Sequence, residues 1–399
     1  MPKRRAELWL TAVVLGIGAI VAFVAGLWAY MSATATPLHP NANAITSVTH
    51  AAVPSKWAAA VERGRQIARA GLADQNLPGL SVAVGVDGDL VWSEGFGWAD
   101  IERRVPVSPE MRFRTGGVSI PITAAAVGLL VEKHALDLDA EIQTYVPAFP
   151  KKRWPVTLGE LMGHTAGIRK DGGDEEPLGE RCDRTADGLR RFAKDDLLFE
   201  PGTKYRYSAY GWIVVSAAVE AAAGEPFFTF VRTHVLEPLG MNDTAPDSSD
   251  APNRPAFYYP RFAADTRYGP DPVRSGDYSC FAGAGGFLST PTDLVRFAVA
   301  IDAGQLLQPA TVAMLQAPQR IASGRETGYG LGWDLETLSL GGQPSPMVGH
   351  DDEYTIGGSA SLETFPDRRI VIAVMTNISF ANTASIATDI AQTFVASAR

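Results

Sequence analysis

The chain has 399 residues, of which 46% are hydrophobic and 20% are charged, and its net charge is −9 at pH 7. This composition is typical of a globular protein with enough apolar material for a large core. The net charge is negative, and no run of lysines or arginines is longer than three residues, so the chain lacks the basic surface that nucleic acids require. We therefore exclude nucleic acid as a partner.

The N-terminus predicts a membrane anchor. Three basic residues at positions 3–5 precede an uncharged, apolar run over residues 8–31. At 1.5 Å per residue, such a helix can cross a hydrocarbon layer of about 30 Å. The basic residues favour a cytoplasmic N-terminus, which places the remaining chain outside, in the periplasm or at the cell surface. Residues 33–35 resemble a signal cleavage site, so a domain secreted after cleavage is the alternative.

The segment after the anchor predicts a tether, and two cysteines bear on the compartment. Residues 32–54 are small, polar and proline-containing, which predicts a flexible linker to a domain over residues 55–399. An oxidising compartment would allow Cys182 and Cys280 to pair. Two separate buried thiols are equally compatible with the sequence.

The folded region begins with a helix and an antiparallel hairpin. Apolar residues recur at helical spacing over residues 55–74. Residues 80–86 alternate as in a half-buried strand, and Asp87-Gly88 is a hairpin turn that leads to a strand from Leu90.

The middle of the chain predicts a mostly helical region. Residues 121–133 are apolar nearly all round, as in a helix buried between layers. Residues 136–260 are rich in proline, glycine and charge, with short helical patterns at 187–194 and 211–223. Long loops should connect these helices.

The C-terminal part returns to sheet. Thr290 and Asp293 flank a first-turn proline and predict the start of a helix. Residues 360–364 and 370–374 predict a hairpin, which a helix over 382–397 follows. Both ends of the domain thus supply strands and a helix to one sheet.

The predicted fold is α/β (α+β), an antiparallel β-sheet flanked by N- and C-terminal helices with an inserted helical region. We expect the sheet part at about 55–115 and 325–399, and the helical region at about 116–324.

Five motifs occur in order within the domain. They are Phe113-Arg114-Thr115-Gly116, residues 161–168, Pro201-Gly202-Thr203 before Tyr207-Ser208, residues 285–290 with Asp293, and Gly349-His350. In this order and spacing they resemble the serine β-lactamase-like family of class C β-lactamases, penicillin-binding proteins and related esterases. The resemblance implies a β-lactamase/transpeptidase-like fold.

The resemblance also implies a catalytic pattern. A Ser at the start of the buried helix attacks an acyl carbonyl, and a Lys three residues later activates it. A Tyr-x-Asn loop assists proton transfer and orients the substrate. A His/Lys-x-Gly strand supplies a backbone N–H that joins the N–H of the nucleophile in the oxyanion hole.

This chain departs from the pattern at the positions that carry chemistry. Mapped on the family, the substituted residues are Gly117 (Ser), Ile120 (Lys), Ala209 (Asn) and Asp352 (Gly). Tyr207 and His350 are retained. In addition, His134 stands at the end of the buried helix, where the family usually has Gly.

These departures predict a scaffold that has lost covalent hydrolysis. Gly117 has no atom that can form an acyl intermediate, and Ile120 cannot carry a proton. Loss of the nucleophile lowers kcat by on the order of 10⁶. We therefore lean against enzymatic turnover and expect a membrane-tethered, extracytoplasmic protein whose cleft binds a small-molecule, acyl or peptide ligand.

Two alternatives remain open. In the first, the pocket has become roomier and more apolar, and Asp352 is a proton-abstracting base helped by Tyr207. In the second, the chain is an active esterase, β-lactamase or peptidase with another nucleophile. Ser119 is the nearest candidate, but it points about 200° away around the helix.

The remaining polar motifs predict structure and not chemistry. His164 is interpreted as a structural hydrogen-bonding residue in a turn. The run 350–353 lacks the ligand separation of a metal site, and no cofactor motif is found, so we expect neither metal nor cofactor. Residues 174–176 are acidic and are interpreted as a surface loop.

Overall fold

A computed structural model describes residues 2–50, 52–170, 181–273 and 276–397, with the backbone alone for residues 2–12. The acidic stretch at 174–176 lies outside the described residues. The α-helices are α1 Pro2–Thr34, α2 Ala58–Asp74, α3 Ser119–Glu132, α4 Leu158–Met162, α5 Thr185–Gly188, α6 Ala209–Ala223, α7 Phe227–Val231, α8 Pro291–Asp302, α9 Pro309–Leu315 and α10 Thr383–Ser397.

The strands are short in the middle of the chain and long at its two ends. They are β1 Ser47–Val48, β2 Gly79–Val86, β3 Asp89–Asp100, β4 Val105–Pro106, β5 Phe113–Arg114, β6 Ala245–Pro246, β7 Tyr258–Pro260, β8 Pro270–Pro272, β9 Phe287–Ser289, β10 Asp334–Leu340, β11 Gln343–Asp352, β12 Ser359–Phe365 and β13 Ile370–Thr376.

The central element is an eight-stranded antiparallel sheet with the order β1-β3-β2-β13-β12-β11-β10, to which β4 adds beside β3. The N-terminal hairpin β2–β3 and the C-terminal hairpin β12–β13 meet where β13 pairs with β2. At the first hairpin turn, Asp87 and Gly88 both have positive φ, 55° and 92°, as a type I′ turn requires. The predicted antiparallel sheet, built from both ends of the chain, is confirmed.

Helices cover both faces of this sheet. The terminal helices α2 and α10 pack together on one face, where the rings of Trp57 and Phe394 lie 5.7 Å apart. Helix α8 lies against β2 and β13 on the other face. Thr290 accepts a hydrogen bond from the backbone N–H of Asp293 at the start of α8, as the sequence predicted.

The helical region packs around α3, most of whose residues are buried, beside α6, which is also mostly buried. The helix expected at 187–194 differs, because α5 ends at Gly188 and a 3-10 turn continues to Arg191. The region also contains a three-stranded sheet β5-β9-β6 and a two-stranded sheet β7-β8. Strands of two or three residues are too short to show the alternation that would predict them.

Part of the expected tether lies against the domain. Strand β1 pairs with β3, and Ile45 is buried. Upstream, the ring of buried His39 lies within hydrogen-bond distance of the carbonyls of Leu77 and Pro78. The backbone N–H of Leu38 donates to Asn76. The segment from about 38 to 48 is therefore bound to the domain by these hydrogen bonds and is not a free linker.

The structure also bears on the predicted membrane anchor and on the pairing of the two cysteines. Within α1, the stretch Val13–Thr34 is long and apolar enough to cross a membrane, and none of it is buried in the protein. Such a helix is compatible with an anchor or with a signal sequence. Cys182 and Cys280 form a disulfide, with Cα atoms 4.9 Å apart.

Candidate active-site cleft

The entrance to α3 is fixed from two sides. Strand β5 leads into a 3-10 turn over Gly116–Val118, in which Gly116 has a φ of +51°. The Arg114 guanidinium donates to buried Asp247 at 2.7 Å and to the carbonyl of Ile356 at 2.7 Å. These bonds tie the start of α3 to the loop after β11.

A cleft of about 330 Å³ opens beside this entrance. It lies between the loop before α6, the turn before β9, and the end of β11 with its following loop. The lining residues are Lys170, Tyr207, Ala209, Tyr278, Phe281, Ala284, Gly285, Asp334, His350, Asp351, Asp352, Glu353, Tyr354, Thr355 and Ile356. Four of the positions that the sequence singled out, 207, 209, 350 and 352, therefore share one cleft.

Tyr207 points its hydroxyl at Gly117, the residue that the sequence maps to the family's nucleophile. A Cβ atom added to Gly117 would lie 2.8 Å from the Tyr207 Oη. The Tyr207 ring packs on buried His164, with centroids 4.3 Å apart. The next residue, Ser208, caps α6 by accepting a hydrogen bond from the N–H of Gly211.

His350 forms the opposite wall and is buried on β11. Its Nδ1 lies 2.9 Å from the carbonyl of Asp351, and its Nε2 lies 3.1 Å from the Tyr329 hydroxyl. Because a carbonyl only accepts, Nδ1 carries a hydrogen and donates to Asp351. Burial raises the pKa of Tyr329 well above its usual value, so its hydroxyl stays protonated.

His164 has a structural environment. Its Nδ1 accepts a hydrogen bond from the backbone N–H of Ser208 at 3.1 Å, and the ring is buried against three aromatic residues besides Tyr207, namely Tyr205, Trp212 and Tyr329. Burial lowers its pKa well below 6.5. A neutral ring in this position supports the Tyr207 loop from behind.

Asp352 lies against Gly117, the residue that the sequence maps to the family's nucleophile. Its Oδ2 accepts a hydrogen bond from the backbone N–H of Gly117 at 2.6 Å. Its Oδ1 accepts from the N–H groups of Tyr354 and Thr355, each at 2.8 Å. In the family pattern, the N–H at position 117 would stabilise the developing oxyanion of the substrate. Here the carboxylate of Asp352 accepts the hydrogen bond from this N–H group.

The other substituted positions leave little chemistry. Ile120 is fully buried in the hydrophobic core, and Ala209 is the first residue of α6. Ser119 is also fully buried, and its Oγ lies 2.6 Å from Thr115 Oγ1, away from the cleft-lining residues. Among the described residues that line the cleft, the hydroxyl groups belong to tyrosines and to Thr355.

The described parts of the chain contain no group of three or more His, Cys, Asp or Glu residues placed to hold a metal ion. In the run 350–353, His350 is engaged with Tyr329 and Asp351, and Asp352 with backbone N–H groups.

Several residues in the cleft or directly behind it were not singled out from the sequence. Tyr329 lies in a run of alternating glycines and large residues at 328–333, which could have drawn attention to a close-packed turn. Tyr278 and Phe281 precede the motif at 285–290 by only a few residues. Lys170 and Asp334 carry no sequence signal that we can identify.

Most of the chain matches one known protein family. A family model described as Beta-lactamase matches residues 65–396. The chain belongs to the beta-lactamase family. This agrees with the resemblance drawn from the five motifs, and it makes the chain a relative of serine hydrolases.

Individual members of the beta-lactamase family are distant in sequence. The mitochondrial serine beta-lactamase-like protein LACTB of Homo sapiens is 27% identical over 368 residues, which cover 70% of this chain and 66% of the human protein. Penicillin-binding protein 4* of Bacillus subtilis is 26% identical over 309 residues, covering 73% of this chain and 66% of that protein. The chain thus spans slightly less than two thirds of the length of these relatives.

A solved structure shows the same fold. The D-amino acid amidase from Ochrobactrum anthropi SV3, complexed with L-phenylalanine amide, matches with a TM-score of 0.68 and 21% identity. The match covers 84% of this chain and 100% of the amidase. The predicted β-lactamase/transpeptidase-like fold is therefore confirmed.

Proposed function

We propose that this member of the beta-lactamase family no longer forms an acyl-enzyme and uses its cleft for non-covalent binding. The observation that carries the proposal is the 2.6 Å hydrogen bond from the Gly117 N–H to Asp352 Oδ2. Gly117 has no side chain where the attacking oxygen would stand. The bond to Asp352 also occupies the backbone N–H that would stabilise the oxyanion.

The family's reaction needs three things at this point. It needs a nucleophilic atom, a group that moves a proton, and a donor for the oxyanion. Gly117 lacks the first, fully buried Ile120 lacks the second, and Asp352 has taken the third. Removal of the nucleophile alone lowers kcat by on the order of 10⁶.

Covalent labelling tests the proposal. We expect neither a fluorophosphonate nor a fluorescent penicillin to form an adduct with the purified chain, as measured by intact-protein mass spectrometry. A stoichiometric adduct on a cleft side chain, including Thr355, would show that another nucleophile has taken over and would end the proposal.

A restoring series supplies the positive control. The chain that carries Gly117→Ser, Ile120→Lys, Ala209→Asn and Asp352→Gly should label and hydrolyse an activated ester. Its matched control carries the last three substitutions and keeps Gly117, and it should stay inert. If the fourfold variant folds but remains inert, the mapping of these positions on the family is wrong.

The geometry weighs against Asp352 as a general base. Three backbone N–H groups already donate to its ionised carboxylate, so full transfer of a substrate proton to it would weaken these bonds to a charged group. Any proton-transfer activity of the chain that is lost in Asp352→Asn would revive this alternative.

The ligand that we propose is a small molecule, an acyl compound or a short peptide. A cleft of about 330 Å³ suits a small ligand. The amidase of the same fold was solved with a small amide, L-phenylalanine amide. We propose this ligand size for the present chain by analogy of fold alone.

We also propose that residues 1–31 anchor the chain and that the domain over 55–399 lies on the extracytoplasmic side. The apolar helix α1 and the disulfide support this arrangement, because disulfides persist in oxidising compartments. The alternative is release of the domain after signal cleavage. The human relative carries the word mitochondrial in its name, which concerns that protein only.

A further inference from the structure

At Gly117 and Asp352, which we call the cleft floor, hydrogen-bond acceptors face the cleft where the family pattern has donors. In the family pattern, backbone N–H donors face an acyl oxygen of the substrate. Here the Asp352 carboxylate covers the N–H of Gly117 and presents acceptor oxygens at the same place. A ligand that binds to the cleft floor must therefore carry a hydrogen-bond donor and not an acceptor.

Asp352 has the capacity to bind one more donor. A carboxylate has about four acceptor positions on its two oxygens. The N–H groups of Gly117, Tyr354 and Thr355 use three of them, and the side chain lines the cleft. The three backbone bonds also fix the carboxylate, so little rotamer freedom is lost when a ligand binds to it.

The rest of the lining suits an apolar body next to a cationic head. Tyr278 and Phe281 stack with centroids 6.0 Å apart and both line the cleft. At the edge of the cleft, the ammonium group of Lys170 lies 4.6 Å from the centre of the Tyr354 ring. The chain thus already places one of its own ammonium groups on an aromatic residue of this wall.

The charge around the cleft favours the same ligand. The lining carboxylates belong to Asp334, Asp351, Asp352 and Glu353, and Lys170 is the lining residue with a permanent positive charge among the described residues. A cleft lined by one sign of charge concentrates ions of the opposite sign. A carboxylate ligand would instead have to approach Asp352 after displacing it from the Gly117 N–H.

We propose that the cleft binds a primary ammonium compound with an aromatic or aliphatic body, with the ammonium donating to Asp352 and the body lying on Tyr278 and Phe281. This inference rests on the proposed non-covalent function and adds the chemical class of the ligand.

Calorimetric titration of the full chain in detergent with phenethylammonium chloride, and in parallel with sodium 3-phenylpropanoate, tests it. The two probes share a phenyl ring on a two-carbon chain and differ in the sign of the charged head. We expect the ammonium to bind at least tenfold more tightly than the carboxylate. Equal binding, tighter carboxylate binding, or no binding of the ammonium would overturn the proposal.

Two variants locate the head group. Asp352→Asn should weaken ammonium binding by about tenfold or more, because a hydrogen bond to a charged group is lost. The control Asp367→Asn removes the same charge from an exposed residue that does not line the cleft and should change affinity by less than about threefold. Equal effects of the two variants would show a general charge effect and would contradict binding at Asp352.

A third variant guards against a folding defect in Asp352→Asn. Asp352→Gly, which has the family's residue, frees the Gly117 N–H, so it should lose the ammonium and gain the carboxylate. A mass spectrum of the same protein after treatment with the covalent probes separates the two proposals. If the ammonium does not bind and no covalent adduct forms, only the ligand class is wrong. If a covalent adduct forms, the non-covalent function is wrong.

Discussion

At the scale of single residues, the missing nucleophile and the new carboxylate fit each other. A Cβ atom on Gly117 would lie 2.9 Å from His350 Cε1 and 3.1 Å from Asp352 Oδ2, besides its 2.8 Å approach to the Tyr207 hydroxyl. A Cβ atom on Gly116 would collide with Thr355 Oγ1 and lie 2.7 Å from Asp352 Cγ. Gly116 is therefore needed while Asp352 and Thr355 remain in position, and a side chain at 117 would have to displace Tyr207 and His350 as well as Asp352.

This fit predicts energetic coupling between positions 117 and 352. Gly117→Ser should lower the free energy of unfolding by about 1–3 kcal/mol, as overpacking does. In a chain that already carries Asp352→Gly, the same substitution should cost at least about 1 kcal/mol less. Denaturant titrations of the four chains of this cycle measure the difference.

A second glycine gives the control for this cycle. Gly211 lies in α6, where an added Cβ would meet Leu161 O at 3.6 Å and nothing closer. Gly211→Ser should therefore cost less than Gly117→Ser and should not depend on residue 352. Additive effects of Gly117→Ser and Asp352→Gly would contradict the coupling.

The sequence predicts which residues surround the cleft but not how they are bonded. Position within motifs is enough to bring Tyr207, His350 and Asp352 together. The bond from Gly117 to Asp352 depends on the path of the loop after β11, and that path is set by distant contacts such as Arg114 with Ile356. Such contacts leave no periodic pattern in the sequence.

At the scale of elements, prediction succeeds where a pattern repeats. Helices α2 and α10 are long enough for a period of 3.6 residues to show, whereas α3 and β13 are predicted from uninterrupted apolar runs. The end of α3 agrees with the family pattern, which usually has Gly where this chain has His134. His134 has a φ of +55°, a conformation that glycine adopts most easily. The short strands and α5 contain too few residues for any period.

One interface between elements contains a buried acid. Glu363 of β12 faces α10, where the Thr388 hydroxyl lies 3.0 Å from each of its carboxylate oxygens. Burial raises the pKa of Glu363 to about 8, and the negative charges of Asp351, Glu336 and Asp389 add to this. In the folded protein, Glu363 is therefore protonated at neutral pH.

This pKa predicts how stability depends on pH. Between pH 4.5, the ordinary pKa of a glutamate side chain, and about pH 8, the folded state binds one more proton than the unfolded state. Its contribution to stability is therefore complete below pH 4.5 and falls as the pH rises to about 8, by on the order of 5 kcal/mol. Glu363→Gln should remove this slope and stabilise the protein at pH 8, as urea titrations at several pH values can measure.

The control for this prediction is Glu141→Gln, which makes the same change of charge at an exposed residue that does not contribute to the raised pKa of Glu363. It should leave the slope between pH 4.5 and 8 almost unchanged. If the wild-type slope survives in Glu363→Gln, another group is responsible for it.

At the scale of the whole molecule, two separate features bear on the compartment. Helix α1 is long and apolar enough to span a membrane. Within the domain, the disulfide joins Cys182, before α5, to Cys280, in the turn before β9, across 98 residues. An anchor alone allows either orientation of the domain, whereas a stable disulfide requires an oxidising environment.

The redox state of the cysteines in cells therefore tests the orientation. Cells are lysed directly into acid, and the denatured protein is treated with a maleimide that carries a polyethylene glycol chain, with and without prior reduction. We expect no mass increase before reduction and two additions after it, because these are the only two cysteines of the chain. Reduction followed by labelling is the control that both thiols can react. Two additions without reduction would mean that the domain resides in a reducing compartment, and the extracytoplasmic orientation would then be wrong even if α1 spans the membrane.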